Sequence, residues 1–77
     1  MKELLYSLAH ELVDHPESLD VREEENKGVV TLSLRVHPED MGKVIGKQGR
    51  IANSMRQVLK ACAIKENVKV NVDIDQI

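Results

Sequence analysis

The 77 residues contain one tyrosine, no phenylalanine and no tryptophan. They contain one cysteine, Cys62, so no intramolecular disulfide can staple the chain. Cys62 falls in an apolar helical pattern, where a small packing role is expected ahead of a catalytic thiol, and a lone thiol suits a reducing compartment. No apolar run approaches the roughly 20 residues of a membrane-spanning helix. Met1-Lys2-Glu3 leads into LLYSLAHELVDH, which carries Glu11 and Asp14 and no small-residue cleavage site. No secretory signal is therefore expected, and the expected location is cytoplasmic. A chain this short predicts one domain with a thin core, burying about 60% of its unfolded surface.

A further absence is local. The net charge is −2, but residues 1–40 hold ten acids and four bases, and residues 41–77 hold three acids and seven bases. From Met41 to Lys65 there is no acid, while Lys43, Lys47, Arg50, Arg56, Lys60 and Lys65 supply six bases. Such a stretch predicts an electropositive face aimed at an anion, against the plainer alternative of a solvated helix surface.

Leu4, Leu5, Leu8, Ala9, Leu12 and Val13 recur at helical spacing, which predicts an amphipathic helix over about 2–14. Pro16 stops it, and DHPES reads as a loop. DVREEEN reads as a short polar edge strand with Val21 its only clear apolar member. Asn26-Lys27-Gly28 reads as a turn. Val30, Leu32, Leu34 and Val36 alternate with polar neighbours, so a strand with one face on the core closes a hairpin over about 20–37. Pro38, Glu39 and Asp40 mark the start of a short helix that Gly46 ends in the left-handed conformation. A long helix over about 50–65 follows, with Ile51, Met55, Val58, Leu59 and Cys62 on one stripe. Val68, Val70, Val72 and Ile74 alternate as a last strand over about 68–75.

The order α-β-β-α-α-β, without repeat, linker or low-complexity segment, predicts an α+β fold. Its three-stranded mixed sheet carries helices on one face, with the last strand parallel to the second.

Residues 44–50, VIGKQGR, hold the most specific pattern. A nucleotide-hydrolysing loop needs G-x-x-x-x-G-K-[ST]. Here Gly42 and Gly46 are separated by three residues, Gln48 stands at the hydroxyl position, and a helix rather than a strand precedes the loop. A dinucleotide fingerprint fails because position 44 is not glycine. G-x-x-G between two helices has another use. The second helix presents free N–H groups at the positive end of its dipole, which is an anion site. Gly46 and Gly49 carry no side chain to hold off a sugar-phosphate backbone. Lys47 and Arg50 add charge, and Arg56 and Lys60 continue it along the helix. The alternative is a corner whose glycines serve geometry alone.

VIGKQGRIA in this element order resembles a type II KH domain. PEDMGKVIGKQGR, with the N-terminal helix, the hairpin and a valine-rich last strand, is similar over essentially the whole chain to the KhpA (YlqC) family of small stand-alone bacterial KH proteins. The resemblance implies single-stranded RNA binding, with about four nucleotides clamped by the G-x-x-G loop above an apolar groove. Carried over by position, Gly46, Lys47, Gln48 and Gly49 form the clamp. Val44 and Ile45 support it, one of them near the groove, and Arg50 lies beside a phosphate. Asn53 stands where relatives often carry lysine, which removes one positive charge. Lys43, Arg56 and Lys60 are further candidate phosphate contacts. RRM and OB-fold modules stack bases on several aromatics, so a chain with Tyr6 alone disfavours them.

Other side chains offer less. His10, His15 and His37 are scattered without metal spacing, so no metal site is expected, and no cofactor either. Asp73 and Asp75 read as a solvated strand face, and Glu23-Glu24-Glu25 as edge-strand protection. No Ser-His-Asp or Cys-His arrangement has context, so the expectation is not an enzyme. Ala61, Ala63 and Ile64 fall off the apolar stripe of the long helix. They are either an assembly surface, Ala61 and Ile64 above all, or a frayed end folded back on the core. The resemblance implies a homodimer, pairing with a larger KhpB (Jag/EloR)-like protein, and a link to post-transcriptional control and to cell elongation and division.

Overall fold

The computed structural model describes all 77 residues, Met1 to Ile77. Its elements run α1 (Lys2–Leu12), β1 (Asp20–Asn26), β2 (Val29–Val36), α2 (Met41–Ile45), α3 (Arg50–Lys65) and β3 (Lys69–Gln76). Single 3-10 turns at Pro16–Ser18 and Pro38–Asp40 precede β1 and α2, and a third spans Lys47–Gly49.

β2 is the centre of a three-stranded sheet ordered β1-β2-β3. β1 pairs with it antiparallel, Val21 opposite Leu34, across a tight turn in which Lys27 (φ 52°) and Gly28 (φ 79°) both have positive φ. β3 pairs with β2 in parallel, Val30 beside Val70 and Leu32 beside Val72. The sheet is therefore mixed, and the fold is α+β in the order expected.

Period-2 alternation sends Val30, Leu32, Leu34 and Val36 to one face of β2, where all four are buried. They meet Leu5 and Ala9 of α1, Val44 of α2, and Met55 and Leu59 of α3. Each such aliphatic side chain contributes about 1.5–3 kcal/mol when fully buried, so this single layer carries most of the fold's stability. All three helices pack on this face. Thr31, Ser33 and Arg35 line the other, where Arg35 Nη2 bonds Asp73 Oδ2 at 3.1 Å.

Several details differ from the sequence expectations. α1 stops at Leu12, because Val13 turns extended and the next two N–H groups, of Asp14 and His15, bond the Asp40 carboxylate instead of helix carbonyls. The buried stripe of α3 is Ala52, Met55, Leu59 and Ala63. Val58, expected on the inward stripe with Cys62, is 44% exposed, and Cys62 is only half-buried. Two alanines let α3 lie close on the sheet, and that turns the larger Val58 outward. Ala63 is thus a core residue, not part of an assembly surface.

Ile64 is 70% exposed and does not fold back. Its helix end is locked: Asn67 takes φ 59° and donates to the Ile64 carbonyl, and Val68 N–H donates to the Ala63 carbonyl at 2.9 Å. This paired capping pattern satisfies the last carbonyls and excludes fraying. It also uses up Val68, so β3 starts one residue later than expected.

Candidate nucleic-acid interface

α2 ends at Gly46, whose φ of 77° and ψ of 175° differ from the left-handed conformation expected there. This region of backbone space is essentially reserved for glycine. A Cβ added at Gly46 would lie 2.6 Å from Ile51 Cγ1 and 2.9 Å from Ile51 Cδ1. The space left by the missing side chain is filled from within the protein, so it is not room for a ligand. Gly49 is the open glycine: nothing lies within 4 Å of a Cβ built there, and its φ of 76° is left-handed.

Between them Lys47 and Gln48 are exposed. Gln48 is itself left-handed (φ 58°, ψ 26°), a conformation that costs a non-glycine residue about 1–2 kcal/mol. Two consecutive left-handed residues make a tight corner that lifts Lys47 and Gln48 off the body of the protein. Arg50 Nη2 donates to Gln48 Oε1 at 3.3 Å, holding the two side chains together. No side chain caps the N-terminus of α3. The Arg50 N–H donates to the Lys47 carbonyl, and the positive end of this sixteen-residue helix lies beside Lys47 and Arg50.

The other sequence candidates divide. Val44 is wholly buried in the core, so it can only support the loop, whereas Ile45 is half-buried at its edge. Asn53 and Lys60 are exposed. Arg56 reaches from α3 to β3, its Nε donating to the Val72 carbonyl at 3.3 Å on the unpaired edge of the sheet. Lys60, Ala63 and Ile64 face Val68, Lys69, Val70 and Asn71 across a cavity of about 390 Å³. α3 and β3 therefore run in opposite directions with a half-apolar groove between them. From Arg56 back to Gly49 is about 10 Å of helix, or about three residues of strand. The loop thus stands at the far end of that groove.

Lys43 is the exception. Its ammonium bonds Asp14 and lies 3.6 Å from Asp40 Oδ1. The Asp14 bond, more than any other contact, raises the Lys43 pKa above its ordinary value. The charge counted toward an anion site is spent on two acids, and Lys47, Arg50, Arg56 and Lys60 remain. Asp40 was expected to favour the start of a helix, but makes no capping bond to α2. Burial by itself would raise its carboxyl pKa; the N–H groups of Asp14 and His15 and the charges of His15 and Lys43 outweigh that, and the net shift is downward. Sequence reasoning missed this pinning role, because Asp40 lies 26 residues from its partner Asp14.

A family model for the KhpA/KhpB KH domain matches residues 2–74. Proteins named RNA-binding protein KhpA are similar over 96% of the chain: 58% identical in Clostridium perfringens and 54% in Clostridium acetobutylicum, with 99% of each relative covered. The Listeria monocytogenes protein of that name is 45% identical, with 97% of it covered. Among solved structures, an Era variant from Aquifex aeolicus bound to GDP.AlF4- superposes with a TM-score of 0.67 at 17% identity over 99% of this chain and 30% of that one. Era in complex with MgGDPNP and a segment of 16S ribosomal RNA gives 0.57 at 18% identity, over 97% and 29%. The Era likeness speaks to fold alone. The family match and the curated relatives cover nearly the whole chain, and this chain belongs to the KhpA/KhpB KH-domain family.

Proposed function

We propose that this chain is an RNA-binding module of the cytoplasm, not an enzyme, and that it holds short single-stranded RNA by its backbone at Gly46–Gly49. The observation that carries this reading is the raised Lys47-Gln48 corner at the uncapped N-terminus of α3. Phosphates would lie against the Gly49 backbone, Lys47 and Arg50. Bases would follow the groove between α3 and β3, past Asn53 to Arg56 and Lys60. The names of the relatives agree with this, as does a stretch of 25 residues without an acid. The test is a gel shift on single-stranded RNA with Lys47→Asp/Gln48→Asp, two exposed positions whose replacement leaves both glycines in place. Loss of the shift with an unchanged circular dichroism spectrum supports the clamp; undiminished binding sinks it.

A second reading rests on Ile64, a 70% exposed isoleucine held outward by a locked helix end. With Val29, Val68 and Ala61 nearby on the surface, it offers an apolar contact for a second copy or for a KhpB-like partner. One clamp with few phosphate contacts binds non-specifically at about 10⁻⁴–10⁻⁶ M at physiological salt. Pairing two clamps raises apparent affinity by about 10²–10⁴. Assembly and RNA binding then serve one role, post-transcriptional control tied to cell elongation and division.

A further inference from the structure

The tripeptide His-Pro-Glu occurs twice, at residues 15–17 and 37–39. Each copy does the same thing locally. The histidine precedes a 3-10 turn, and the proline opens it at Pro16 and at Pro38. Proline suits that first position because its φ is already set and its missing N–H has no partner to lose. The buried Asp40 carboxylate then joins the two copies, accepting the His15 N–H at 2.9 Å and the Asp14 N–H at 3.1 Å. Residues 22 apart in sequence are thereby brought face to face: the His15 and His37 rings stack with centroids 4.1 Å apart.

We propose that His15, His37 and Glu39 form a binding site for a divalent transition-metal ion of the zinc class. Glu39 Oε1 lies 3.3 Å from His15 Nε2 and 3.7 Å from His37 Nδ1, and one donor atom from each residue lies within 4.8 Å of the others. An ion bonded tetrahedrally at about 2.0–2.2 Å needs donors roughly 3.4 Å apart. Two of the three separations already match, and the third lies within 4.8 Å. Both histidine side chains are two-thirds buried, so little motion has to be frozen on binding. Behind His15 stands a further carboxylate, Glu17 Oε1 at 3.5 Å from Nδ1, the arrangement that orients a ligating imidazole.

The donor set selects the ion. Two imidazoles and one carboxylate suit zinc, cobalt or nickel; calcium and magnesium call for several oxygens, and this cluster supplies few. His37 Nδ1 now accepts the Glu39 N–H at 3.1 Å, and the ion would replace that bond. Water would complete the coordination. The ion would fasten the segment after α1 to the junction from which α2 and then the Gly46–Gly49 corner leave. The site stands on these distances alone and does not depend on RNA binding.

Zinc titration by calorimetry of the full chain is expected to give one ion per chain and to raise the melting temperature by at least about 4 °C at saturation. Cobalt is expected to show visible d–d bands without the near-ultraviolet band of a thiolate. Glu39→Gln, at an exposed position that the fold does not need, is expected to weaken zinc binding at least tenfold, and His15→Gln likewise. Cys62→Ser and His10→Ala are expected to bind as the parent does. The proposal is overturned if the parent takes up no stoichiometric zinc, if Glu39→Gln and His15→Gln bind unchanged, or if binding is lost in Cys62→Ser.

Discussion

Ile51 fills the space that a side chain at Gly46 would need, at 2.6 Å from a Cβ built there. The first glycine of the corner is therefore a packing residue, and the second has open space where a side chain would be. Gly46→Ala is expected to cost about 3 kcal/mol, from the clash and from a backbone conformation alanine avoids. Gly49→Ala, strained but not crowded, is expected to cost about 1 kcal/mol. Urea unfolding of both, and of Gly46→Ala/Ile51→Ala, checks this. Trimming Ile51 should recover part of the Gly46→Ala loss and none of the Gly49→Ala loss.

Salt dependence separates the lysines. Each phosphate contact to single-stranded nucleic acid contributes about 0.7 to the slope of log affinity against log salt. Lys47→Ala is expected to lower that slope by about one such contact. Lys43→Ala should leave it unchanged, since Asp14 and Asp40 already hold that ammonium. Fluorescence anisotropy of a labelled RNA across a salt series measures both.

Asp40 gives the fold an acid limb. Its carboxyl pKa is lowered on folding, so its contribution is present above its ordinary value near 3.8 and is lost as pH falls through the folded value. Lys43 is raised, so its contribution holds below its ordinary value near 10.5 and is lost only as pH climbs through the folded value. Thermal melts of the parent and Asp40→Asn should differ clearly at neutral pH and converge as pH falls below the ordinary carboxyl value and through the folded one. A constant gap across that range would mean that Asp40 is not ionised in the folded protein.

Ile64→Asp should leave stability within about 0.5 kcal/mol of the parent, as exposed sites generally do. Light scattering is expected to show a lower mass for this variant than for the parent. If the parent is oligomeric and Ile64→Asp keeps its mass, that surface is not the interface.

Much of this was legible in the sequence. Alternation in β2 and the helical spacing of α1 and α3 are local signals, and local signals set element type and order. The glycines of the corner announced themselves by spacing, with Lys47, Gln48 and Arg50 among them. What stayed hidden depends on partners far along the chain. Val58 turns outward because Ala52 and Ala63 let α3 settle close to the sheet, which no single helix reveals. Asp40 and Lys43 find Asp14 across more than 20 residues, so an acid counted for a helix end and a base counted for RNA proved to hold the segment after α1. The meeting of His15 with His37 depends on the same contact.

The central claim is that RNA lies on the Lys47-Gln48 corner and along α3 and β3. Its most direct test is a titration of the ¹⁵N-labelled protein with a short single-stranded RNA, followed by amide chemical shifts. The account predicts shifts concentrated at residues 46–56 and on the facing half of β3, with Arg22, Ser33 and Arg35 on the bare sheet face unmoved. Shifts centred on that bare face, with the Gly46–Gly49 amides unchanged, would contradict it.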